Sequence, residues 1–450
     1  MQFQISHEFV EETRRLIEEA NNEKLLKHLG ELHHADIAEI LDDLSLEEAI
    51  YIIKLLDSHK TAEVLMEIDP VDREKVLNSL SPQEIAAEIQ AMDTDDAADI
   101  VAELPPDIKT QVIAQIEDEE HAGNIVELLR YDENSAGGLM AKELVKVNEN
   151  WSVTGCVSEM RAQAENVTRV HSIYVVDNMD RLKGRLSLKD LLTAPRKAQI
   201  RDVYIKQVDY VNVHTEGEEV ARIMQKYDLE AIPVVDEMGR LVGRITIDDI
   251  VDFIKDEAKE DYQMAAGISE DVEADDTIWQ LTRARLPWLV LALLGGFLSV
   301  FLLETFNGAL EEHASLFFFV PLIAAMAGNV GVQSSAIVLQ GLANKTLKGS
   351  LWSRLAKEIL LSLLNGFLLA LLLIVAGTFL LGFDFELGLT VGVSLVSVII
   401  MASLIGTFVP IILDKRNIDP ALATGPFITT SNDIFGILIY FTIAKMMLGF

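Results

Sequence analysis

The last third of the chain is written in long apolar runs and the rest in short ones. Five stretches, at about 286–303, 314–343, 359–381, 387–413 and 421–447, are long and apolar enough to cross a bilayer as helices, a span taking about 20 residues. Their connections alternate in charge. Arg283 and Arg285 precede the first stretch; Lys345, Lys348, Arg354 and Lys357 join the second to the third; Lys415 and Arg416 join the fourth to the fifth. The other two connections carry only acids, Glu304, Glu311 and Glu312, then Asp384 and Glu386. Lys and Arg mark the cytoplasmic side. The pattern therefore predicts a multi-pass protein of the plasma (inner) membrane, with the N-terminus and basic loops cytoplasmic and the C-terminus outside.

Upstream the hydrophobic pattern is finer and repeats. Residues 173–192 read IYVVDNMDRLKGRLSLKDLL and residues 232–251 read IPVVDEMGRLVGRITIDDIV, an offset of 59 with ten of twenty positions identical. Each copy has a β-rich run (Val175 and Val176; Val234 and Val235), an Asp turn, a second strand, and an acid opening a helix (Asp190, Asp249). Tandem copies at this spacing resemble a pair of CBS domains, covering about 137–195 and 200–257. Such pairs often bind adenine nucleotides in the cleft between copies; Arg185, Arg244 and the Thr246–Asp249 turn, with Asp248, are the candidates here, and a structural use of them is the alternative.

Residues 1–132 read as short helices. Helix-like pieces begin near Ala38, Ile50, Ala62, Glu74, Ala87, Ala98 and Thr110, about every 12 residues. Ser45 with Glu48 and Ser81-Pro82 with Glu84 have capping-box spacing, and Asp69-Pro70 is a further start signal. The prediction is a stack of helices forming a small superhelix of either hand. From 252 to 280 a connecting helix follows, on which Glu257, Glu260 and Asp261 share one face. The fold class is thus a multidomain membrane protein: an all-α superhelical N domain (1–132), an α/β tandem CBS pair (133–257), a connecting helix, and a five-helix α transmembrane domain (281–450).

Charge sharpens this division. The net charge of −34 is almost all in residues 1–285, with 30 Lys/Arg against 62 Asp/Glu; residues 286–450 hold seven against nine. Such an acidic region repels nucleic acid and anionic lipid and attracts cations. Cys156 is the sole cysteine, so no intrachain disulfide forms. The N-terminal residues lack the apolar run of a signal peptide. No Walker loop, zinc-ligand spacing, GxSxG or kinase set is present; no enzyme is expected.

Within the apolar third two features do not belong to a mere anchor. Asp433 is the only charge between 421 and 444. A carboxylate near the middle of a span costs about 2.5 kcal/mol or more and ordinarily serves an ion or proton path; an Asp satisfied by neighbouring helices is the alternative. The second stretch carries Gly328, Asn329, Gly331, Gln333, Ser334 and Ser335. Irregular backbone lining a water-filled cavity and close helix packing through small residues both fit it. Gly388 and Gly392 form a GxxxG read as packing.

GNVGVQSS in the second span and ITTSNDIFG in the fifth, preceded by Asp419-Pro420-Ala421-Leu422 and placed after a helical domain and a CBS pair, make the chain resemble the MgtE family of magnesium channels over essentially its full length. Val332 departs from the Asn of some members. The resemblance implies a homodimer with one central pore, Asp433 from each subunit selecting Mg²⁺, and Asn329 binding the ion's waters. Gly328, Gly331, Gln333, Ser334 and Thr430 would line the pore. It also implies sensor carboxylates at Asp95 and Asp96, at Glu218, Asp228, Asp248, Asp249 and Asp252, and at Glu257, Glu260 and Asp261 of the connecting, or plug, helix. Cytoplasmic Mg²⁺ would bridge these acids and close the channel, with ATP adjusting the affinity. A transporter also admitting Co²⁺, Mn²⁺ or Ca²⁺ and a non-transporting CBS sensor are the competing readings.

Overall fold

The computed structural model describes residues 5–449 except 165, 166, 168, 171, 275, 348, 381, 417 and 424. Lys348, assigned above to a basic loop, lies outside the described residues, as does the end of the third apolar stretch at 381. The chain divides into two compact units, one ending at Ile254 and one beginning at Lys255.

The first unit opens with α1 (His7–Glu18), α2 (Asn22–Leu29), α3 (His34–Asp42), α4 (Leu46–Ile53), α5 (Ser58–Glu67), α6 (Pro70–Asn78), α7 (Pro82–Ile89), α8 (Thr94–Glu103), α9 (Pro106–Ile113) and α10 (Glu119–Leu128). From α3 to α9 every helix starts 12 residues after the last. The starts fall about one turn before the residues at which the sequence pattern placed them, because the cap begins a helix and the first buried side chain comes later. Ser45 and Ser81 form reciprocal capping boxes with Glu48 and Glu84, and Asp69 caps α6 ahead of Pro70; each such cap stabilises a helix by about 1 kcal/mol. These helices are too short to persist alone. Packing between alternate members, α3 on α5, α4 on α6, α5 on α7 and α7 on α9, buries Ile37, Ile52, Val64, Leu65, Ile85 and Ile89 in one core.

That core continues into the second of two similar sheets. β1 (Val145–Asn148) pairs parallel with β2 (Ile173–Val176), which pairs antiparallel with β3 (Leu182–Leu186); β4 (Val211–Asn212), β5 (Ala231–Val235) and β6 (Leu241–Thr246) repeat this order. Val175 opposite Gly184 and Val234 opposite Gly243 hold the same register at the offset of 59. The copies meet through matched bonds: Leu182 N donates to Gly239 O (3.1 Å) and Leu241 N to Asp180 O (2.9 Å). Helices α11 (Val153–Gln163), α12 (Leu188–Thr193) and α13 (Gly217–Tyr227) complete the pair.

The connecting element is not one helix from 252 to 280. Helix α14 (Ile247–Ala266) continues directly from β6 and stops at Gly267, whose φ of +81° ends it. The segment after it folds back, Lys259 pairing with Asp271 and Glu273.

In the second unit five helices are long and apolar enough to span a membrane, among the described residues. They are α15 (Ile278–Glu304), α17 (Val320–Ala343, preceded by a 3₁₀ turn), α18 (Leu351–Leu380), α19 (Phe385–Asp414) and α20 (Pro426–Leu448); the short α16 (Asn307–Glu312) lies between the first two. Helix α19 is central, packed against α17, α18 and α20, with Val391, Leu395, Val398 and Ala402 fully buried. Gly388 and Gly392 meet Ile374 and Ala370 of α18, which is the packing use read from the sequence.

The second span is a continuous α-helix, not an interrupted one. Its glycines are used for close approach rather than for irregular backbone: Gly331 lies against Asn432 of α20, and its carbonyl abuts Gly406 of α19. A methyl group at Gly406 would run into that carbonyl oxygen. Gly406→Ala is therefore expected to destabilise the solubilised protein by about 1–3 kcal/mol, read as a fall in its thermal unfolding midpoint; an unchanged midpoint would mean the two backbones do not meet.

Candidate functional site

Helix α20 presents Thr429, Asn432, Asp433 and Gly436 at i, i+3, i+4 and i+7, one face turned to α17. On α17 the facing positions are Ala327, Gly328 and Gly331. A Cβ at Gly328 would sit 3.9 Å from Asp433 Oδ1 and 3.6 Å from Thr429 Cγ2. Those are ordinary van der Waals separations; with glycine at 328 no side chain of α17 stands at that point against Asp433. Asp433 itself is half-buried. Its neighbour Asn432 is wholly buried, donates Nδ2 to Ala327 O (3.4 Å), and leaves Oδ1 without a partner. The sequence reading passed over Asn432, although it adjoins Asp433 in ITTSNDIFG.

The positions grouped as pore-lining divide. Gly328 and Gly331 stand on the Asp433 face. Asn329 is exposed on the surface of the single chain. Thr430 turns instead to the first span, packing on Gly295 of α15. Gln333 and Ser334 lie on another side of α17, against α18 and α19. A helix shows different faces every one or two residues, so adjacency in the motif does not make one lining.

In the first unit the acids of the α8 N-terminus meet those of the CBS pair. Asp93, Asp95 and Glu143 bring one carboxylate oxygen each within 4.8 Å of one another. Thr94 N and Oγ1 donate to Glu143 Oε2 at 3.2 and 2.8 Å, fixing that carboxylate. Burial, then the charges of Asp96, Asp249, Asp93 and Glu143, hold the Asp95 carboxyl well above its usual range. Burial followed by Asp249, Asp93, Asp99 and Asp248 pushes Asp96 up to about 7. Unlike an ordinary solvated face, this cluster resists full ionisation and would be relieved by a cation.

Of the predicted sensor residues the structure thus draws together Asp95, Asp96, Asp248 and Asp249. Asp93 and Glu143 were missed. Asp93 had a signal in the run Asp93-Thr94-Asp95-Asp96; Glu143 had none, since it joins by tertiary contact. Glu218, Asp228 and Asp252 are exposed on α13 and α14, while Glu257, Glu260 and Asp261 follow one another along α14.

The nucleotide candidates occupy matched positions, Arg185 on β3 and Arg244 on β6. Arg185 and Asp248 are exposed, whereas Arg244 is buried. Its Nε donates to Glu143 O (2.5 Å) and its Nη2 lies 3.5 Å from Asp93 Oδ2. Both guanidinium groups bear on Tyr174, a residue absent from the sequence reading, whose buried hydroxyl has no hydrogen-bond partner.

These sites can be set beside known proteins. A family model described as a divalent cation transporter matches residues 320–443. The MgtE intracellular N domain model matches 32–134, and the CBS domain model matches 136–197 and 200–256. Together with the five spans they define the chain as a membrane transporter of divalent cations. "Magnesium transporter MgtE" of Thermus thermophilus is 38% identical over 324 residues, 71% of this chain and 72% of the relative. That of Enterococcus faecalis is 36% identical over 331 residues, 73% and 72%. The chain belongs to the MgtE family of magnesium transporters, and like that family it is not an enzyme. Its soluble region is similar to the crystal structure of the soluble part of a magnesium transporter (27% identity, TM-score 0.51, covering 56% of this chain and 98% of the other). It is also similar to the cytosolic domain of the Mg²⁺ channel MgtE in complex with ATP (34%, TM-score 0.52, 54% and 99%).

Proposed function

We propose that the chain is a Mg²⁺-selective channel, a homodimer in the plasma membrane whose soluble region is cytoplasmic and closes the pore when cytoplasmic Mg²⁺ is high. The observation that carries the conduction reading is the Asp433 carboxylate facing Gly328, a position of α17 that carries no side chain. Mg²⁺ dehydrates reluctantly and keeps several waters. A carboxylate beside a side-chain-free helix face offers charge and room for a hydrated ion, where a tight cage would demand dehydration. Paired across a two-fold axis, two such carboxylates balance one divalent ion. Asn329, exposed on the single chain, is then available to the ion's waters. Binding must remain weak enough for release. A broader transporter would pass Co²⁺ or Mn²⁺ at comparable rates, and competition of each ion against Mg²⁺ flux separates the two.

For the gate, the acids around Asp95 and Asp96 repel one another unless protons or divalent ions neutralise them. Mg²⁺ binding at Asp93, Asp95, Glu143 and Asp249 would favour the compact form of the first unit, a population shift by differential affinity. Helix α14 continues from β6 and carries Glu257, Glu260 and Asp261. At its end Gly267 packs on Pro426, and the Ala265 carbonyl abuts Gly425 at the start of α20. A shift in α14 would therefore be felt at the helix that bears Asp433. Neutralising Glu257, Glu260 and Asp261 together is expected to leave Mg²⁺ current flowing at millimolar cytoplasmic Mg²⁺; current that still shuts off as in the wild type would reject the role of this helix.

ATP fits the cleft between the CBS copies as a regulatory ligand. The unpartnered Tyr174 hydroxyl, on which Arg185 and Arg244 both bear, is the polar atom such a ligand would satisfy. Bound there, ATP would bring phosphate charge beside the acidic cluster and so raise its demand for Mg²⁺.

A further inference from the structure

A second set of oxygen donors lies within the span bundle, where α17 meets α18 and α19 rather than α20. It surrounds a cavity of about 70 Å³ between α17, α18 and α19. Helix α17 contributes Gln333 and Ser334. Helix α18 contributes Glu358, Ser362 and Asn365, at i, i+4 and i+7 on one face. Helix α19 contributes Ser403, with Thr407 one turn further on. Glu358 precedes the apolar run at 359–381 and reads in the sequence as part of a basic loop. The structure starts α18 at Leu351 and so carries Glu358 two turns into the helix.

The donors agree in depth. Ser334, Glu358 and Ser403 lie roughly 10–17 Å, at 1.5 Å per residue, from the ends of their helices that the basic loops mark. They agree in chemistry too. Ser403 Oγ donates to Ile400 O (3.0 Å), so at its 2.5 Å contact with Ser362 it accepts, and the Ser362 oxygen keeps lone pairs for another partner. Thr407, 1% exposed, lies beside the Glu358 carboxyl. A carboxylate, two amides and three serine hydroxyls line this cavity beside the apolar Val330, Ile337, Leu361 and Ile399.

We propose that this cavity is a binding site for a monovalent cation largely stripped of water, with Na⁺ the best fit. One carboxylate balances one positive charge. A divalent ion would leave a net charge in a low-dielectric setting, which is costly. The volume of about 70 Å³ has room for a small ion with its remaining waters. Hard oxygen donors without His or Cys suit such an ion. The site shares no donor with the Asp433 face, so it stands or falls apart from the conduction reading.

The test is the thermal unfolding midpoint of the full-length protein in lipid nanodiscs, free of divalent ions, in NaCl and in N-methyl-D-glucamine chloride of equal ionic strength. A ligand that binds the native state raises the midpoint in a saturable way. The wild type is expected to be more stable in Na⁺ by a few degrees. Glu358→Gln is expected to lose that difference, Ser362→Ala to weaken it, and Asp433→Asn to keep it. Equal midpoints of the wild type in the two salts, as for a cavity holding only water, would overturn the proposal. So would a Na⁺ response that survives in both Glu358→Gln and Ser362→Ala, or one lost in Asp433→Asn alone. Should Glu358→Gln fail to fold, Ser362→Ala decides.

Discussion

Asp433→Asn is expected to reduce Mg²⁺ uptake by proteoliposomes at least tenfold while leaving the protein folded. Asn has nearly the same shape, so the packing against Gly328 and Thr429 survives and only the charge goes. A hydrogen bond to an ionised acceptor contributes about 1.5–3 kcal/mol, and each 1.4 kcal/mol is about a factor of ten in occupancy. In a dimer the substitution removes two charges from one axis, so the losses compound. The buried amide of Asn432 does not compensate, being tied to Ala327 and carrying no charge. Uptake by Asp433→Asn at the wild-type rate, with an unchanged unfolding midpoint, would remove Asp433 from the ion path.

The second large effect is expected in the soluble region. In the wild type, Mg²⁺ should slow proteolysis of the first unit severalfold, and in the double substitution Asp95→Asn with Asp96→Asn the ratio of rates without and with Mg²⁺ should fall towards one. Two changes act together. The amides bind Mg²⁺ more weakly, and they no longer repel Asp93, Asp249 and Glu143, so the ion-free form is already compact. Protons should imitate the substitution. A carboxyl whose pKa is raised on compaction binds its proton more tightly in the compact form, so compactness is favoured at low pH and lost as pH rises from about 4 through about 7. Mg²⁺ protection is accordingly expected to be small at pH 5.5 and large at pH 8. Protection equal at both pH values, or undiminished in the double substitution, would count against ion-bridged closure.

Much of the architecture was legible beforehand. The five spans could be read because a bilayer demands long apolar helices whatever they pack against. The CBS pair could be read because its two copies repeat the same turn residues at one offset, which the strands then keep in register. The N domain's 12-residue period was visible in its apolar residues, though the true starts lay one turn earlier, at the caps. The candidate sites were only partly legible. Asp433 announced itself as a lone charge, and Asp95 with Asp96 as a pair. Glu143, Tyr174 and Glu358 had no such signal. Each is an ordinary residue in its local sequence and becomes notable through a partner far along the chain.

The amino-acid pattern alone determined that this protein has a strongly acidic soluble region and a five-span membrane domain with one acidic residue in its last span. Those follow from hydropathy, period and charge, which are properties of neighbours in sequence. Only the tertiary structure decided how the polar residues of the second span are shared. Because a helix turns about 100° per residue, Gly328 and Gly331 open onto α20 while Gln333 and Ser334 open onto α18 and α19. Packing, which sums contacts from several helices at once, divided one continuous motif between two helix contacts.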